Sequence, residues 1–376
     1  MHEQTEQYIL ELIRRSTPRR TAWNLEKIRE GRDVSWNYID GCMLTALTAM
    51  TDITGDRRYL EFVERVADCF VQEDGSILTY KPQNRALDDI NEGRILFRMA
   101  EETGRAKYRK AAELLHRELM AQPRTPEGNF WHKAIYPNQV WLDGTYMALP
   151  YLALYEKTFG QGDYSDILRQ IRVVHDRMRD PKTGLYYHGY DSSRKAFWAD
   201  PETGLSRNFW LRAIGWYSLA LADLTEILPE DRPERKELVS FFRELMASLA
   251  AFADPETGMY WQVMDQGGRK GNYLETSGSA MVACAMMKGA RLGVLEESYR
   301  ARGRKTFRGI QEHFLKVRDG MIELENICLV AGLGPENKRR RDGSYEYYIS
   351  EPVVSNDAKG AAPFVLCYTE IRRAAE

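Results

Sequence analysis

The sequence predicts an all-α ring, an (α/α)6 barrel of six helical hairpins in a single domain spanning residues 1–376, and three observations carry that prediction. The first is that two kinds of helical segment alternate. Segments 41–50 (GCMLTALTAM), 144–155, 213–222 and 278–290 are apolar nearly all round. Others carry one apolar stripe, as Tyr59, Val63, Val66 and Phe70 do opposite Glu61, Glu64, Arg65 and Asp68. A helix apolar on every side must be covered on every side, whereas a striped helix covers a neighbour and faces water. Alternation therefore predicts an inner ring wrapped by an outer one. The second observation is recurring punctuation. Gly then Tyr follows inner segments (Gly55 and Tyr59, Gly104 and Tyr108, Gly160 and Tyr164). A Gly turn into aromatics follows outer ones, as in Gly128-Asn129-Phe130-Trp131, Gly184-Leu185-Tyr186-Tyr187 and Gly258-Met259-Tyr260-Trp261. Glycine takes the positive φ that ends a helix, and Asp and Pro set up such turns. The third is the count: inner helices start near 40, 89, 143, 212, 276 and 357. Stacked hairpins bury both flanks only when each has two neighbours, which a closed ring provides. An open solenoid would suit amphipathic inner helices, and these are too apolar for it.

Composition narrows the function. The 376 residues are 43% hydrophobic, with 21 Tyr, 13 Phe and 8 Trp, enough to fill a large core and to exclude a disordered or fibrous chain. With 53 basic against 55 acidic side chains, the net charge of −2 lacks the basic excess that a nucleic-acid sheath needs. No run approaches the roughly 20 apolar residues of a membrane span, and MHEQTEQYILELIRR lacks the basic start and apolar stretch of a signal peptide. The five cysteines, Cys42, Cys69, Cys284, Cys328 and Cys367, form no CxxC pair and indicate neither a disulfide framework nor a zinc site. The expectation is a cytoplasmic protein, a monomer or weak homo-oligomer, with a small partner and neither nucleic acid nor membrane.

Inner helices of such a ring run parallel, so their N-termini meet at one rim together with the aromatic turns leading into them. That rim collects Asp40, Asp88, Asp89, Asp143, Arg212 and Glu275 among Phe130, Trp131, His132, Tyr186, Tyr187, His188, Trp210 and Trp216. Aromatic faces beside carboxylates suit sugar rings, and helix N-termini favour an anion. Each residue also has a plainer reading. Asp143, Asp88 and Asp40 stand where carboxylates cap helices. Arg212 opens a nearly apolar helix, where it is either an ion pair or a ligand contact. His188, His132 and Lys133 fit solvated turns, and Lys338-Arg339-Arg340-Arg341 fits a solvated loop, unless residues 331–345 arch over the rim.

Several runs carry a resemblance. They are Leu87-Asp88-x-Ile90-Asn91, Trp131-His132-Lys133, Gln139-Val140-Trp141-Leu142-Asp143-Gly144-Thr145-Tyr146-Met147, Tyr187-His188-Gly189, Phe209-Trp210-x-Arg212-x-x-Gly215-Trp216, Asn272-Tyr273-Leu274-Glu275 and the tail from Ser344 to Gly360. In this order, from about residue 36 to 365, the chain resembles glycoside hydrolase family 105, the unsaturated rhamnogalacturonyl hydrolases. The resemblance implies the same barrel and a small unsaturated oligosaccharide left by pectin lyases as substrate, with neither metal nor cofactor. It also implies a reaction that hydrates a vinyl ether, with Asp143 as general acid and then base. Rim position and resemblance together make Asp88, His188, Arg212, Trp216, Trp141, Trp210, His132, Lys133, Asp40 and Tyr38 the candidate substrate contacts. Burial against Trp141 and a second carboxylate, Asp88, would raise the proton affinity of Asp143. Related chemistry on glucuronyl substrates from glycosaminoglycan or gellan, and a conventional inverting glycosidase with two carboxyls, are the alternatives. Ala213-Ile214 replaces the Gly-Asn expected before Gly215, which points to an altered pocket wall beside Arg212.

Overall fold

In the computed structural model, which describes residues 2–374, Gly55 and Gly104 cap helices as the punctuation predicts, whereas the helix before Gly160 is capped by Phe159, and Gly128, Gly184 and Gly258 take their positive φ in turns beyond the outer helices. Helix α1 (His2–Arg14) and the short α2 (Leu25–Glu30) lead into α3 (Tyr38–Thr54). Gly55 caps α3 at φ 68°, and α4 (Arg57–Phe70) returns against it. The second hairpin is the one-turn α5 (Asp88–Asn91) with α6 (Arg94–Thr103), then α7 (Ala106–Met120). Three more follow: α8 (Leu142–Thr158) with α9 (Ser165–Met178), α10 (Leu211–Ile227) with α11 (Pro233–Ala250), and α12 (Thr276–Arg291) with α13 (Glu297–Phe314). After the short α14 (Tyr345–Ile349), α15 (Ala358–Arg373) completes the inner ring. Its outer partner comes from the other end of the chain. Tyr8 of α1 sits edge-on to Phe364 at 6.2 Å, and Tyr368 Oη donates to Glu6 at 2.7 Å. Inner helices touch in the order α3, α6, α8, α10, α12, α15 and back to α3, so the ring is closed.

Two features depart from the expected pattern. The second inner helix is interrupted at Glu92-Gly93, where the packing is tight: a Cβ at Gly41 would lie 2.5 Å from Glu92 Cα, and one at Gly93 would meet Leu115 and Tyr151 within 3 Å. Three antiparallel ribbons also appear: β1 (Gln139–Trp141) with β2 (Gly189–Asp191), β3 (Leu315–Arg318) with β4 (Met321–Leu324), and β5 (Ile327–Cys328) with β6 (Val353–Val354). Strands of two to four residues carry too little alternation to be read from a sequence.

Asp40, in the first turn of α3, fastens the segment before it. Its carboxylate accepts from Thr21 Oγ1 at 2.6 Å, Trp23 Nε1 at 2.8 Å and Asn24 Nδ2 at 2.6 Å. The Trp23 carbonyl in turn accepts from Ala358 N at 2.8 Å, where α15 begins. This segment therefore spans the seam between the first and last inner helices. Burial raises the Asp40 pKa, and the three hydrogen bonds oppose that rise. Asp40→Ala leaves three buried donors without an acceptor, so its unfolding free energy is expected to fall by about 3 kcal/mol in urea titrations, with the far-ultraviolet circular dichroism of the native state unchanged.

Candidate active site

The β1–β2 ribbon builds the centre of the site. Trp141 pairs with Gly189, and Leu142 N donates to the His188 carbonyl at 3.1 Å. Asp143, in the first turn of α8, is thereby set against His188, with Oδ2 3.2 Å from Nε2. The two atoms face each other without completing a hydrogen bond. His188 is fully buried; its Nδ1 lies 2.7 Å from Tyr348 Oη, and the Trp210 ring packs on it at 4.7 Å. The result is a row of Tyr348, His188 and Asp143 whose last member faces a cavity of about 520 Å³.

Asp88 lines the same cavity. Its carboxylate lies 2.5 Å from Lys133 Nζ and 3.7 Å from His132 Nε2. Burial opposes charge on Asp88, but the Lys133 ammonium overrides it and holds the carboxyl below its ordinary range. Asp88 is therefore an ion-paired carboxylate. Burial pushes His132 down to about 4, so its ring is neutral near pH 7; it stacks on Trp141 at 4.4 Å. Asp89, next to Asp88 in the cavity wall, is pushed up to about 7 by burial and by its neighbour's charge. Tyr38, Lys133, His132 and Trp141 also line the cavity, as do Lys338 and Arg341 from the loop over residues 331–345, which does arch over the rim.

Four candidates stand elsewhere. Asp40 is consumed by the seam and is 1% exposed, so it offers nothing to a ligand. Arg212 is buried between helices: its guanidinium donates to the Cys328 carbonyl and lies 3.7 Å from Glu275, which also caps α12. It is a strut joining α10, α12 and β5, and the substitutions at Ala213-Ile214 lie within that packed interior rather than on the cavity wall. Trp210 is spent behind His188, its indole donating to Gln262 Oε1 at 3.3 Å. Trp216 lies below the cavity in a column along the barrel axis. Tyr38 meets Trp216 at 6.4 Å, Trp216 stacks on Tyr146 at 4.9 Å, and Arg94 lies 5.1 Å from the Tyr146 ring. Arg94 and Lys288 then both bind Asp223 at 2.7 Å, at the floor of the ring. A second cavity of about 270 Å³ opens at that lower end, and its charges pair with one another. Tyr348 and Asp89 were not among the predicted contacts. Tyr348 falls in the resembling tail from Ser344 to Gly360, but it lies 160 residues from its partner and nothing local ties it to His188. Among the described residues, no group of His, Cys, Asp and Glu is placed to hold a metal ion.

Comparison with known proteins follows this geometry. The model of Glycosyl Hydrolase Family 88 matches residues 12–375. The structure of a glycoside hydrolase from family 105 of C. acetobutylicum ATCC 824 is 41% identical, covers 98% of both chains and superposes with a TM-score of 0.89. Protein Atu3128 of Agrobacterium fabrum is 42% identical over 60% of this chain and 97% of its own. An unsaturated rhamnogalacturonyl hydrolase of Bacillus subtilis, YesR, is 26% identical over 69% of this chain and 72% of its own.

The Asp89 carboxyl gives a measurable signature. Folded, it keeps its proton up to about 7, whereas an unfolded chain releases it near ~3.9. The folded state thus binds more protons in that window, and Asp89's contribution to stability falls as pH rises through it. Urea unfolding of the wild type and Asp89→Asn at intervals from pH 4 to 8 should show the variant gaining relative stability with rising pH. A constant difference would contradict the assignment.

Proposed function

The chain belongs to the glycoside hydrolase family defined by the family 88 model and the family 105 structure, and from that premise we propose that it removes a 4,5-unsaturated galacturonic acid from rhamnogalacturonan fragments. The B. subtilis relative bears the name of that activity and supports the choice of substrate. The whole chain acts as one catalytic unit, in the cytoplasm. Its five free cysteines, four of them buried, suit a reducing compartment, and among the described residues no helix is long and apolar enough to cross a membrane.

The observation that carries the mechanism is the contrast between two carboxyls on one cavity. Asp88 is held ionised by Lys133 and accepts hydrogen bonds from ring hydroxyls, because a carboxyl of depressed pKa is a poor proton donor. Among the described residues, no lysine or arginine lies within ion-pair distance of Asp143, and His188 backs one of its oxygens. Asp143 donates its proton to C4 of the unsaturated ring, and positive charge develops at C5 and the ring oxygen. Water adds to C5 and returns a proton to the Asp143 carboxylate. The hemiketal opens to a ketone at C5, and the neighbouring sugar leaves from C1. His188, held by Tyr348 and Trp210, keeps the carboxyl oriented through both steps. Asp89 is the rival donor, since it too lines the cavity and keeps a proton near neutrality.

Incubation with a lyase-generated unsaturated disaccharide should erase the near-ultraviolet absorbance of the conjugated double bond, and in heavy water deuterium should enter at C4. Asp143→Asn is expected to slow the decay by about 10²–10⁴-fold while remaining folded, and Asp89→Asn to retain most activity. The reverse ranking would transfer the acid role to Asp89. Sugar release with the chromophore intact would indicate ordinary glycosidase chemistry. Decay confined to glycosaminoglycan-derived substrates would change the substrate and keep the reaction.

A further inference from the structure

The basic run at residues 338–341 divides according to what each side chain binds. Arg339 pairs with Glu336 at 2.8 Å and Arg340 with Glu351 at 2.9 Å, and neither lines the cavity. Lys338 and Arg341 do line it, and neither has an acidic partner among the described residues. Their positions are set by the loop backbone: Arg341 N donates to the Lys338 carbonyl at 2.9 Å, and Gly334 N to the Arg341 carbonyl at 2.8 Å. Tyr347 Oη anchors the preceding turn by accepting from Gly332 N at 2.8 Å. The Arg341 guanidinium stands beside the aromatic wall, since a Cβ at Gly332 would lie 3.4 Å from both Arg341 Nη1 and Trp141 Cζ3.

Depth separates these two cations from the reacting groups. Lys338 is exposed and Arg341 half-buried, so they form the mouth, whereas His188 is fully buried behind Asp143. Of the deeper cations, Lys133 is engaged by Asp88, and Arg212 is buried off the cavity wall with its Nη2 on the Cys328 carbonyl and 3.7 Å from Glu275. Unpaired guanidinium and ammonium groups beside an aromatic face are suited to a sugar that carries a carboxylate.

We propose that Lys338 and Arg341 form an outer subsite that binds a second carboxylate, on the leaving portion of the substrate, so that the protein favours oligosaccharides with an acidic sugar beyond the bond that breaks. The orientation rests on the reacting ring sitting at Asp143, which directs the leaving portion toward the mouth.

Two saturated probes test this by calorimetry: digalacturonate, and the same disaccharide with its reducing-end carboxylate reduced to a hydroxymethyl group. Wild-type protein should bind digalacturonate about tenfold more tightly, the discrimination expected of charge-assisted hydrogen bonds. Lys338→Gln/Arg341→Gln should abolish that preference and bind the reduced probe as the wild type does. Equal affinities in the wild type, a preference that survives in the double variant, or no binding of digalacturonate at millimolar concentration would overturn the proposal. Turnover of an unsaturated disaccharide with a neutral leaving sugar reports separately on Asp143. No turnover with the charge preference intact refutes the reaction and upholds the subsite; turnover without a preference refutes the subsite alone.

Discussion

The starts of α3, α5 and α8 can line one cavity only if the ring is held shut, and the closing joint is made by the two ends of the chain. Helix α1 supplies the outer cover for α15, and the segment Thr21 to Asn24 is clasped by Asp40 on one side and by the start of α15 on the other. Lys359 adds an ion pair to Glu26 at 2.8 Å across the same seam and one at 3.0 Å to Asp357, the cap of its own helix. An unclosed stack of hairpins would leave α3 and α15 each with a bare apolar flank. The joint is polar although the ring is apolar because each of its hydrogen bonds requires one register. Apolar packing alone would tolerate a slip.

Within the cavity, environment decides what each carboxyl does. Asp88, Asp89 and Asp143 share one wall system, yet they meet different partners: an ammonium for Asp88, a neighbouring negative charge for Asp89 and an imidazole for Asp143. Asp88 and Asp89 are thereby moved in opposite directions, so carboxyls of low and of raised proton affinity stand side by side on one wall. His132 belongs to the same arrangement. Kept neutral by burial, it packs against Trp141 as an aromatic plate and adds no charge that would compete with Lys133.

The barrel was legible in the sequence because its signals are local: stripe spacing, Gly-Tyr turns and the starts of six inner segments are each contained within about a dozen residues. The part of the site on Trp141-Leu142-Asp143 and His132-Lys133 was legible for the same reason. Placing Arg212, Trp210 and Trp216 failed for a geometric one. A helix start locates a backbone, but each step along it turns a side chain by about 100°, so neighbours in sequence point to the cavity, a partner helix or the axis. Asp40 failed because its donors lie on a segment with no helical pattern. Tyr348 and the β1–β2 ribbon depend on pairings between remote segments, which no short window contains.

The column from Tyr38 through Trp216, Tyr146 and Arg94 to Asp223 and Lys288 fills the middle of the ring from beneath the cavity to the far face. The well that holds Asp143 is therefore blind. A polymer cannot be threaded through it, and an internal linkage has no route to the bottom. Under the proposed function, such a well admits the tip of a sugar chain and not its interior, and each released sugar leaves by the opening through which it entered.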